Sequence, residues 1–92
     1  MSISGAHDPL AMRMDLRHLR RETQTALELA IVELAPSHLV DRLAVVSGLL
    51  EALVDLPTDS PPAIALGPPT ADRARVALYM WRDWSEHRKK LA

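Results

Sequence analysis

Ninety-two residues with a formal net charge of −1 and no cysteine make one small domain, neither a generally basic nucleic-acid binder nor a strongly acidic mimic. Without cysteine there is no disulfide, thiol nucleophile or thiolate metal site, so packing or oligomerisation must offset the small size. No basic-then-apolar leader opens the chain, and no apolar run reaches the roughly 18 residues of a membrane span, so a cytoplasmic protein that avoids the membrane is expected. The Ala, Leu and Arg richness suits helices and would also suit a GC-rich bacterial genome.

Residues 1–8, MSISGAHD, lack periodicity and are expected to form a flexible tail. Asp8 before Pro9 is a helix start, an N-cap acceptor followed by proline in the first turn. The first helix is predicted over 9–35, with Pro36 as its stop. Met12, Leu16, Leu19, Thr23, Ala26, Leu27, Ala30 and Leu34 share one face. Its second half, ALELAIVELA, is apolar nearly all round, interrupted by Glu28 and Glu33.

Ser37 is read as the cap of a second helix over 37–56, ended by Pro57. Leu39, Leu43, Val46, Leu50 and Leu53 repeat as a 4-3-4-3 seam. Val45, Leu49, Ala52 and Leu56 form a second stripe beside it. At about 100° per residue the apolar arc covers roughly 240°, too wide for one neighbour. The short turn at Pro36–Ser37 predicts an antiparallel hairpin of the first two helices.

Five of the seven prolines fall in the connector that follows, 57–69, before a third helix predicted over 70–90 and capped by Thr70. Paired prolines favour an extended chain. Ile64 and Leu66 alternate as they would along one side of such a chain, so the connector is expected to be a strap with both packed on the bundle. The third helix brings Ala74, Ala77, Leu78, Trp81 and Trp84 to the core. The expected fold is therefore all-α: a single domain over 9–92, a helical hairpin plus a third helix joined by a strap.

Apolar surface is left over. Leu29 and Val32 on the first helix, with Val45, Leu49 and Leu56 on the second, have nothing inside the chain to meet and are the expected homodimer interface. Two hairpins would then form a helical bundle. A groove between paired hairpins could also take a helix from a larger protein.

Other chemistry is weaker. Asp15–His18 and Asp83–His87 have helical spacing for a two-ligand metal site, but both point off the apolar faces and read as surface pairs. No serine has a nucleophile-elbow setting, and no glycine-rich phosphate loop is present. Glu28 and Glu33 lie about 140° apart round the helix and do not converge as an acid–base pair. No catalysis, metal or cofactor is expected. Arg13, Arg17, Arg20 and Arg21 on the first helix and Arg75, Arg82 and Lys89 on the third form two basic stripes, the alternative patch of a nucleic-acid accessory protein. The second helix offers no Asn or Gln to read a groove, so the favoured role is a non-catalytic interaction, scaffold or regulatory protein acting as a homodimer.

Overall fold

The computed structural model describes residues 9–57 and 59–91. They form three helices, α1 (Pro9–Val32), α2 (Ser37–Val54) and α3 (Pro61–Leu91), with no strand among them. The expected tail, residues 1–8, lies outside the described residues.

α1 ends at Val32, three residues earlier than the pattern suggests, in a turn that satisfies its last carbonyls. The Leu34 amide donates to the Ile31 carbonyl at 3.2 Å and the Ala35 amide to the Ala30 carbonyl at 2.9 Å. This is a Schellman arrangement, with Leu34 in the left-handed position at φ 58° that glycine usually takes. The turn throws Leu34 into solvent and detaches it from the inner face of α1. Ser37 is the first residue of α2 rather than its cap. Pro36, extended at φ −55° and ψ 145°, holds the cap position, and no side chain bonds there. Its carbonyl accepts from the Leu39 and Val40 amides.

α1 and α2 run antiparallel: Arg13, near the start of α1, donates from Nη2 to the Val54 carbonyl at the end of α2, at 3.3 Å. α3 runs parallel to α1, since Asp15 pairs with Arg75, Glu22 with Arg82 and Glu33 with Arg88 in ascending order. It is therefore antiparallel to α2, and residues 55–60 suffice to connect them.

The extended strap is not formed. α3 starts at Pro61, nine residues before the predicted Thr70, and passes through Pro68 and Pro69. The reason lies in Ser60–Pro61–Pro62. The Ser60 hydroxyl accepts from the Ala63 amide at 3.3 Å, its carbonyl accepts from the Ile64 amide, and the prolines fill first-turn positions where no amide hydrogen is needed. Pro68 and Pro69 each remove a bond that the Ile64 and Ala65 carbonyls would have accepted. Those residues face outward. Ile64 and Leu66 are 55% and 53% exposed, so the packing predicted for them is corrected. Ala63, Gly67, Thr70 and Ala71 turn inward instead.

These small residues, continued by Ala74 and Ala77, let α3 come close to the rest of the core. A Cβ on Gly67 would sit 2.5 Å from the Met12 sulfur. The core is otherwise the one the periodicity defines. Leu16, Leu19, Thr23, Ala26 and Ala30 of α1 meet the Leu39–Leu43–Val46–Leu50–Leu53 seam, and Leu78 and Trp81 of α3 close the far end. The Thr23 hydroxyl, fully buried, donates to the Arg20 carbonyl at 3.1 Å, which removes the cost of an unpaired polar group. Trp84 stacks on Trp81 at 5.6 Å, and the Arg88 guanidinium lies 5.5 Å over the Trp84 ring.

Candidate interaction surface

The second stripe of α2 opens onto a groove against α3. Val45, Val46 and Val76 form its apolar floor, and His38, Asp41, Arg42, Asp72 and Arg73 form its margins, around a volume of about 630 Å³. Val45 is exposed, Leu49 one turn along is partly so, and Leu56 is half-buried against the core. Period and the packing of α1 and α3 on the seam together explain the placement. Val45 sits about 100° round the helix from Val46, so the seam that buries Val46 leaves Val45 at the edge.

The other interface candidates lie elsewhere. Leu29 lines a smaller groove of about 370 Å³ between α1 and α3, with Trp81 and Arg82 on its far wall. Val32, beside the exposed Ile31 and Leu34, sits at the end of α1 and is 76% exposed. The five residues therefore do not make one face through α1 and α2: Val45 opens on one side of α3 and Leu29 on the other. The cause is the side of the hairpin on which α3 packs, which no periodicity in α1 or α2 encodes.

The two basic stripes are also reorganised. Arg75 pairs with Asp15 and, at 3.5 Å, with Asp72. Arg82 pairs with Glu22 at 2.8 Å, and Glu22 also meets His18 at 2.6 Å. The α3 row is thus set against the carboxylates of α1, with exposed Lys89 beyond it. On α1, Arg13 faces α2, where its charge opposes the negative end of the α2 dipole. Arg20 is half-buried with its Nε unbonded, Arg17 is exposed, and Arg21 lines the α1–α3 groove.

The metal-like pairs do not assemble. Asp15 is engaged by Arg75 rather than His18, and His87 stands 3.7 Å from Asp83 on the open surface. Among the described residues, no three His, Asp or Glu side chains come together as metal ligands. Glu33 is held by Arg88 at 2.8 Å, and Glu28 is exposed. No described helix is long and apolar enough to cross a membrane.

Missed in the sequence were the matching Asp-Arg steps at Asp41–Arg42 and Asp72–Arg73, which frame the α2–α3 groove. The repeated dipeptide was the available signal. The fold defines a small all-α protein; comparison with known families, curated proteins and solved structures finds no match.

Proposed function

We propose that this chain is a non-catalytic interaction module of scaffold or regulatory type, working in the cytoplasm as a homodimer. One observation carries the reading: the apolar stripe of α2 beginning at Val45 and Leu49 stays uncovered, with Val76 of α3 beside it. Apolar surface of this kind on a small helical domain marks an association site, and pairing two such domains completes a larger helical bundle. Three acids of α1, Asp15, Glu22 and Glu33, are engaged by Arg75, Arg82 and Arg88 of α3 in pairs that hold the bundle together. A nucleic-acid role draws less support, since Arg75 and Arg82 lie against Asp15 and Glu22 and present no free cationic track.

Light scattering across a dilution from millimolar to micromolar tests this directly. Twice the chain mass at the upper end, falling towards the chain mass on dilution, is the expected result. A mass equal to one chain throughout contradicts the reading.

A further inference from the structure

The α2–α3 groove has margins of mixed sign. Each wall carries one Asp-Arg step, so two acids and two arginines surround the valine floor, with His38 at one end. Asp41, Arg42 and Arg73 make no ion pair among the described residues, whereas Arg75, Arg82 and Arg88 all do. Val45 and Val76 are 60% and 52% exposed. The groove thus combines uncovered apolar side chains with three charges that have no ion-pair partner among the described residues, while the fourth, Asp72, is held by Arg75 at 3.5 Å.

This pattern selects its occupant. A partner of a single sign would satisfy either the arginines or the aspartates and press like charges against the rest. A second copy offers both signs in equal number, because a two-fold contact sets residue i against j and j against i. The area is adequate. The groove itself takes up about 13 Å of α2, from His38 to Val46; continued along all 18 residues of the helix, about 27 Å, a face two helices wide is roughly 20 Å across. Two such faces bury about 1,000 Å², the size of a weak, reversible contact.

We infer that the α2–α3 groove is the contact between two copies of this chain. Val45 and Val76 of both copies close on one another, and Asp41 and Arg42 of one copy meet Arg73 and Asp72 of the other. The inference rests on the self-association proposed above and names its surface, which is not the α1–α2 face expected from periodicity.

Sedimentation equilibrium of the full chain and three variants tests it, with circular dichroism confirming that each remains helical. The substituted side chains are all exposed, so the monomer fold should survive. Val76→Asp is expected to weaken dimerisation by at least about a hundredfold, and Asp41→Arg by about tenfold or more. The double change Asp41→Arg with Arg73→Asp is expected to recover most of the loss, because it restores opposite signs across the contact. If the unmodified chain dimerises and Val76→Asp does so equally well, this surface is wrong while self-association stands. If the double change recovers nothing, the charge pairing is wrong. If the unmodified chain is monomeric throughout, both proposals fail and the groove belongs to a different protein.

Discussion

α2 carries two apolar stripes of similar composition and the same helical period, and the rest of the chain covers them unequally. Leu43 and Leu50 of the first are 0% exposed, while Val45 of the second is 60% exposed. Neither propensity nor hydrophobicity distinguishes them. α1 and the small inner face of α3 converge on the first stripe. Pairing of Asp15 with Arg75 and Glu22 with Arg82 fits the roll in which Ala74 and Ala77 point inward and Val76 stays at the margin. Periodicity thus measures how much apolar surface a helix owns; the packing of its neighbours decides how much the chain itself covers.

The largest expected effect separates the stripes. Leu43→Ala should cost about 2–5 kcal/mol, through lost transfer energy and the cavity left behind. Val45→Ala, at dilutions where the chain is monomeric, should stay within about 0.5 kcal/mol. Urea denaturation of both variants measures the gap, and equal losses would erase the distinction between the stripes.

Next in size is the contact by which α3 closes on α1. Gly67→Leu must displace Met12 and crowd Leu16, and is expected to cost about 1–3 kcal/mol. On the opposite side of the same segment, Ile64→Ser with Leu66→Ser should cost less than about 1 kcal/mol in total, mostly through helix propensity. A larger loss from the double change than from Gly67→Leu would return residues 61–69 to the role of a packed strap.

That segment also shows where sequence reading reaches its limit. The three helices, the hairpin and the buried seam were legible, because period and helix stops are local. Ser60–Pro61 carries the same start signal as Asp8–Pro9, but the later Pro68–Pro69 pair suggested a break that inward packing of Ala63, Gly67 and Ala71 overrides. The groove was not legible, since it depends on where α3 packs. A partial clue existed: Asp15 and Glu22 are seven apart, as are Arg75 and Arg82, a register that aligns two parallel helices.

Smaller effects sharpen the same contrast. Arg82→Gln removes one of the pairs that align α3 and should cost no more than about 1 kcal/mol, less at high salt, because the pair is largely exposed. Thermal melts at two ionic strengths give the value. Leu34→Gly, at the left-handed turn residue, should be neutral or stabilising by up to about 1 kcal/mol. A loss in that melt would show that Leu34 contributes more by contact than its backbone conformation costs.

The most direct measurement follows methyl resonances of the unmodified chain through a dilution series. The expected result is that Val45, Leu49 and Val76 methyl signals move together with concentration while those of the buried Leu43 and Leu50 hold still. Signals that stay fixed at every concentration, or shifts confined to Leu29 and Val32, would contradict the assignment of the uncovered stripe of α2 as the self-association surface.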